Sequence, residues 1–377
     1  MSKTTKSIIG VIVLILIVGF VWYSNKNQKS AVSQMANNEP IKIGWIGPLT
    51  GGAAALGMDS IVAAQLAVEE INQAGGVNGK KIEIIAEDDQ YDTAKSVTAY
   101  EKLTKANGVK IIIDQTYSSV FALAERAVKD GVTIIDTLDC NSKIVAAGKN
   151  NYCFGIESES VARELVGYAE KQGYKKVGIL YFNSDTFMPY VKDVFKSTFS
   201  GAVVDEGYQA GTADFKTSLA KMKSEGIDAL MLLTYDEGGI AMQQARTLGI
   251  KAPFLMPGTA NSPALQKSAN GAAEGTIFTY WQAPSGNALT TAFLTKFEAK
   301  AGRKPILDLA TLPTYDAINV VAKALSENGG KVDSVGPALL KIKNYNGITG
   351  MASFEADHSA RVKESLFKLV GGKAVKL

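Results

Sequence analysis

From Ile41 onward two periodicities take turns. Short β-branched or apolar runs, IKIGWI, KIEIIAE, VKIIID and VTIID, are separated by stretches at 57–74, 93–106 and 118–129 whose apolar residues recur three and four apart. A run of the first kind reads as a buried strand and a stretch of the second kind as an amphipathic helix, so the alternation predicts a parallel sheet with helices on both faces. The pattern then restarts. KKVGILYF, AVVDEGY, IDALMLLTY and PFLMP are spaced by helical patterns near 158–172, 186–199, 214–224 and 237–248. Further helical stretches near 288–301 and 311–327 follow, and strand-like GMASF and ESLFKLV close the chain. Two such series predict an α/β protein of two Rossmann-like lobes, and 377 residues suffice for two full cores.

The glycine-rich turn GWIGPLTGG follows the first strand run and precedes the first helix, where a phosphate cradle would sit. It lacks the lysine of a Walker loop, with no lysine between Gly52 and Lys80, and its glycines at 44, 47, 51, 52 and 57 miss the dinucleotide spacing. Pro48 removes a further backbone donor. What remains is a turn whose amides line a crevice. No cofactor is expected.

The formal net charge of +3 misleads. Residues 1–38 hold four lysines and no acid, leaving 36 basic against 37 acidic residues, a balance of −1, in the remainder. A near-neutral body without a basic stripe gives no reason to expect nucleic acid. Residues 7–25 are uncharged and mostly Ile, Val, Leu and aromatic, with Trp22 and Tyr23 at the end. A helix of that length nearly crosses the ~30 Å hydrocarbon core, and no A-x-A cleavage site follows, so 1–25 reads as an uncleaved transmembrane signal anchor. The polar stretch 26–39 reads as a flexible tether.

Cys140 and Cys153 enclose a polar loop of twelve residues. In an exported chain a disulfide is the natural pairing, two free thiols being the alternative; a pair alone lacks the further ligands of a zinc site. Thr116-Tyr117 and Thr234-Tyr235 each follow a buried run and precede a helix. Ligands of open α/β sheets bind beyond the carboxyl ends of strands, so these two pairs are expected to face each other across a cleft. Each tyrosine packing locally is the alternative.

The segments IGPLTGGAAALG, AAQLAVEEINQAGGVNGKKIEIIAEDDQYD, KKVGILYFNSD, DFKTSLAKMKSEGIDALML, MQQARTLGI, AAEGT and TYDAINVVAKAL resemble, in order, the branched-chain amino-acid-type solute-binding proteins of ABC transporters, which are type I periplasmic binding proteins. The resemblance spans nearly everything after residue 40. It implies two lobes joined by a three-segment hinge and closing on a small-molecule ligand that is passed to an ABC permease. The crossings would lie near 156–158, 280–283 and 347–350, giving one lobe of 40–156 plus 283–347 and a second of 157–282 plus 348–377. The disulfide would pin the loop just before the first crossing.

The resemblance also nominates ligand-facing positions. In TYSS, Ser118 matches the serine that binds a carboxylate in amino-acid-binding members, with Tyr117 and Ser119 beside it; a hydroxyl at a helix N-terminus suits an anion, and helix capping is the alternative role. Gly51, Gly52 and Leu56 fall at the lip, Leu56 where an aromatic often lies. Thr137 and Asp139 occupy the segment after the fourth strand, where an acid departs from the family's pattern; Asp139 either pairs with an ammonium group or caps the disulfide loop. Tyr235 matches a tyrosine set over the ligand. Thr186 and Phe187 replace a Tyr-Gly pair, and Gly258 stands where amino-acid binders place an acid, which leaves Asp139, Asp236 or Glu237 to supply the missing charge.

The carboxylates of EDDQYD read as a strand end and helix cap rather than a metal site. His358 is the sole histidine and lies in a turn expected to be solvated, so no Ser–His–acid constellation can be drawn and no enzyme is expected. The chain reads as a monomeric, membrane-tethered, extracytoplasmic solute-binding protein. A ligand-sensing receptor of the same fold, acting through a separate signalling chain, is the alternative.

Overall fold

The computed structural model describes residues 39–282, 286–350 and 354–377; the expected anchor at 1–25 and nearly all of the tether lie outside them. Among the described residues no helix is long and apolar enough to cross a membrane.

The first sheet is built from β1 (Ile41–Gly47), β2 (Ile82–Asp88), β3 (Ile111–Asp114), β4 (Thr133–Asp136), β5 (Asp139–Cys140) and β6 (Asn151–Glu157). The isoleucine-rich runs of β3 and β4, in the middle of the sheet, are buried on both faces, as a parallel sheet covered by helices requires. The second sheet holds β7 (Lys176–Phe182), β8 (Ala202–Tyr208), β9 (Ala229–Leu233), β10 (Phe254–Met256) and β11 (Ile277–Tyr280). β12 (Ser359–Val362) returns to the first sheet, and β13 (Ser365–Val370) and β14 (Lys373–Lys376) extend the second.

The order in the first sheet is β12-β6-β4-β3-β1-β2, with β5 beside β6, and every pairing is parallel. In the second, β11-β10-β9-β7-β8 is parallel, while β13 and β14 run antiparallel at the far edge. In each lobe the chain steps from its first strand to one neighbour and then reverses to the other side. The switch points are therefore β1/β3 and β7/β9, and the crevice lies beyond their carboxyl ends.

The chain leaves the first sheet at Glu157 and enters the helix Ser158–Lys171, which packs under β11 and β13. After β11 it returns to the first lobe, where the helices Ala288–Ala301 and Asp308–Glu327 pack on the helix Ala54–Gln73. The third passage corrects the expectation. Because β12 pairs with β6 through Ser359↔Cys153 to Val362↔Ile156, the final crossing falls at Lys363 and Glu364 rather than near 347–350. The segment before it stays with the first lobe because Asp316 accepts the amides of Ile348 (3.0 Å) and Thr349 (2.8 Å), and Phe354 is buried against Tyr152 and Phe154. The expected strand GMASF is not one at Phe354.

Cys140 and Cys153 form a disulfide that ties β5 to β6 immediately ahead of the first crossing. His358 is less solvated than expected: its ring stacks on Tyr152 with centroids 4.3 Å apart.

Candidate functional site

The loop after β1 is held by Asp88 at the end of β2. Leu49 and Thr50 donate their backbone N–H groups to Asp88 Oδ1 (2.9 and 3.4 Å), and the Thr50 hydroxyl donates to Asp88 Oδ2 (2.6 Å). Burial pushes the Asp88 carboxyl up, but the Thr50 hydroxyl and the amides outweigh it and hold it below the usual range. The glycine-rich turn is thus clamped at Leu49 and Thr50 by a strand-end carboxylate. The other acids of EDDQYD are equally engaged: Asp89 accepts the hydroxyls of Ser96 and Thr116 (2.7 Å each), and Asp92 caps the helix Thr93–Glu101.

Tyr91 follows in the same segment with φ of 61°, a left-handed backbone that an aromatic residue rarely adopts. This geometry carries its ring across the cleft. Its centroid lies 5.2 Å from that of Tyr235, edge to face, and Tyr235 comes from the loop after β9 in the other lobe. The Tyr235 hydroxyl donates to Asp185 Oδ2 (2.6 Å), whose other oxygen accepts the amides of Phe187 and Met188 at the start of the helix Phe187–Thr198. Burial raises the Asp185 carboxyl to about 6 against those three donors.

Behind this pair lies an inner cavity of about 40 Å³ between the lobes. Leu56 and Leu138 of the first lobe face Phe187, Met188, Gly258 and Thr259 of the second, and Leu307 and Leu309 contribute from the returning segment. In front lies an outer cleft lined by Gly52, Gln90, Phe182, Ser184 and Glu237. Tyr91 and Tyr235 border both spaces and so partition the mouth from the interior. The lobes are closed.

Two acids line the inner cavity. Asp139, from β5, is 4% exposed and its Oδ2 has no hydrogen-bond partner; its Oδ1 accepts only the Ser158 hydroxyl, at 3.5 Å. Glu364, from the third crossing, is 5% exposed and its Oε2 is likewise unpaired. Burial, then the charge of Asp136, then those of Glu364 and Asp185, hold the Asp139 carboxyl well above its usual range, and burial takes Glu364 to about 7. Asp136, behind Asp139, is also raised by burial, though the amides of Asp139 and Leu138 bond its Oδ1 at 2.8 Å. Among the described residues no lysine, arginine or histidine lines the cavity.

The nominated residues divide accordingly. Leu56, Asp139, Tyr235 and Gly258 line the inner cavity, and Gly52 lines the outer cleft, its α-carbon face turned toward Glu237. Gly51 takes a left-handed φ of 89° beside Gln90 and borders neither space. Ser118 accepts a hydroxyl bond from Thr93 (2.7 Å), and Ser119 donates to Asp114 (2.5 Å) and to Thr116 O (2.6 Å). Thr137 is buried against Thr314 (2.8 Å) and Gln115. Thr186 is exposed at the N-cap of its helix. None of these last four lines the cavity.

Tyr117 and Tyr235 do not face each other as expected. Tyr117 instead packs on Phe187 and Tyr190 across the cleft, and Tyr91 takes the place opposite Tyr235. Of the acids offered to replace the missing charge, Asp236 accepts from Ser262 (2.6 Å) and Glu237 from Tyr208 (2.5 Å), both outside the inner cavity. Tyr91, Asp185 and Glu364 were not visible as site residues. Glu364 and Lys368 both interrupt the apolar run ESLFKLV, and nothing in the sequence tells that the acid turns inward.

Comparison with known proteins agrees with this architecture. A leucine-, isoleucine-, valine-, threonine- and alanine-binding protein of Pseudomonas aeruginosa is 28% identical over 367 residues, covering 94% of this chain and 93% of its own length. The branched-chain amino acid transporter substrate binding protein LivJ of Streptococcus pneumoniae, solved with isoleucine, is 27% identical with a TM-score of 0.80, covering 90% of this chain and 100% of that one. A Rhodopseudomonas palustris ABC-transporter solute binding protein in complex with benzoate shares the fold, with a TM-score of 0.78 at 22% identity over 90% of this chain and 95% of that one. Residues 40–373 match the periplasmic binding protein family. With two parallel-centred sheets, closed jaws and that match over most of its length, the chain belongs to the periplasmic binding proteins of type I fold.

Proposed function

We propose that this protein captures a small polar solute, an amino acid, amide or related compound, between its lobes outside the cytoplasm and hands it to an ABC permease. Its work is binding rather than turnover, as for the family and the relatives above. The observation that carries this reading is the inner cavity, walled by both lobes and shut by Tyr91 on Tyr235. A solute that touches both walls favours the closed form by the difference between its contacts in the two forms. Leu56, Asp139, Tyr235 and Gly258, joined by Tyr91 and Glu364, are the ligand-facing set in this reading. Gly52 forms the lip, Gly51 turns the chain behind it, and Tyr117, Ser118, Ser119, Thr137 and Thr186 support the walls.

Residues 1–25 act as an uncleaved anchor and 26–39 as a tether, which holds a monomeric receptor at the membrane beside its permease. Carbonate extraction with N-terminal sequencing tests this: an intact N-terminus in the membrane pellet is expected, and a trimmed, extractable chain overturns it. Capture itself is tested by thermal shift on the detergent-solubilised full chain against amino acids, amides, amines and organic acids. A ligand at 100 times its Kd adds about 2.7 kcal/mol. Tyr235→Ala should abolish the shift; equal binding by that variant removes the site assignment.

A further inference from the structure

Resting on the solute-capture reading, we infer that the solute is a cationic amine whose ammonium group sits between the carboxylates of Asp139 and Glu364, with no carboxylate of its own in the cavity. Each of these acids is more than nine-tenths buried, each lines the cavity, and each keeps an oxygen without a partner. A buried carboxylate oxygen without a donor is expensive, and two facing one space repel each other as well. An ammonium group carries three donors and one positive charge, so a single head group supplies both missing bonds and relieves the repulsion. The rings of Tyr91 and Tyr235 border the same space and present π-faces and edges that suit a cation.

The complementary half of a zwitterion finds nothing. Among the described residues no basic side chain lines the cavity, and Ser118, the residue suited to a carboxylate, lies outside it and accepts a hydrogen bond from the Thr93 hydroxyl. A solute carboxylate there would meet Asp139, Glu364 and the neighbouring Asp185 instead. The remaining walls, Leu56, Leu138, Ile156, Met188 and Leu309, take a compact apolar body. The loss of an acid at Gly258 is thereby accounted for: the charge has moved from the second lobe to the hinge.

Isothermal titration of the full-length chain in detergent with a matched set of probes tests this. Leucine, leucinamide, 3-methylbutylamine and 4-methylpentanoate share a branched body and differ in head group. Leucinamide and 3-methylbutylamine should bind roughly 10- to 100-fold more tightly than leucine, the range of a charge-assisted bond gained against a repulsion avoided, and 4-methylpentanoate should not bind. Asp139→Asn and Glu364→Gln should each weaken the amines at least about 10-fold while retaining the circular dichroism of the parent. Leucine binding as tightly as leucinamide overturns the head-group assignment but leaves capture between the lobes standing. Binding of 4-methylpentanoate does the same. Failure of both amines at millimolar concentration overturns the assignment independently of the variants.

Discussion

Gly57 lies so close to the turn before it that a β-carbon there would meet Pro48 O at 2.1 Å. The backbone of that carbonyl cannot move aside, because its neighbours Leu49 and Thr50 are held by Asp88. Gly57→Ala should therefore destabilise the fold by about 1–3 kcal/mol, read as a lowered urea midpoint at unchanged slope. Tyr91 presents the opposite case, a large side chain where glycine would be easier. Holding it at a φ of 61° costs on the order of 1 kcal/mol, which the ring contact across the cleft offsets only when the lobes are shut. Tyr91→Phe should bind solute nearly as the parent does, and Tyr91→Ala about 10-fold more weakly, measured by titration with whichever ligand the thermal screen returns. The glycines of IGPLTGGAAALG were legible as a turn; that Gly57 is needed for close approach was not, since the obstructing atom belongs to the folded backbone. Tyr91 carried no signal, because local propensity argues against the conformation it adopts.

Among the elements, most helices followed from apolar spacing; in the structure Asp92 and Asn287 cap two of them, their carboxylate and amide oxygens accepting first-turn amides. The chain's end was harder. β12 is four residues long, with an arginine and two small residues, so its membership of the first sheet depends on pairing with β6, a contact between remote parts of the chain. The hairpin of β13 and β14 did have a signal. Gly371 and Gly372 both take positive φ, 56° and 74°, in the two-residue turn that VGGK spells, and reading it would have predicted the antiparallel edge. The Cys140–Cys153 disulfide joins β5 to β6 at the start of the hinge. Replacing both cysteines with serine should cost roughly 3 kcal/mol, from a loop of about this length, and should appear as a lowered urea midpoint relative to the parent.

For the molecule as a whole, the two-lobe plan was written in the repeated alternation, whereas the charge of the cavity was not. Asp139, Asp185 and Glu364 come from distant parts of the chain, and only the closed arrangement brings them together. That arrangement has a pH signature. Glu364 moves from 4.5 to about 7 on burial, so the closed form binds the proton more tightly than an exposed chain does. Its contribution is fully present below about 4.5 and is lost as pH rises through about 7, up to roughly 3 kcal/mol across the interval. Asp136, Asp139 and Asp185 are raised in the same sense, and among the described residues no basic side chain lines the cavity. Without solute, the melting temperature should fall between pH 5 and pH 8, and Glu364→Gln should flatten that fall; an unchanged slope in the variant would assign the effect to other groups.

The third crossing, Lys363 and Glu364, is one of the strips on which the jaws turn. On the proposed reading a guest that bonds Glu364 bears on this strip as well as on both walls, so amide exchange at Lys363 and Glu364 should slow when solute is bound.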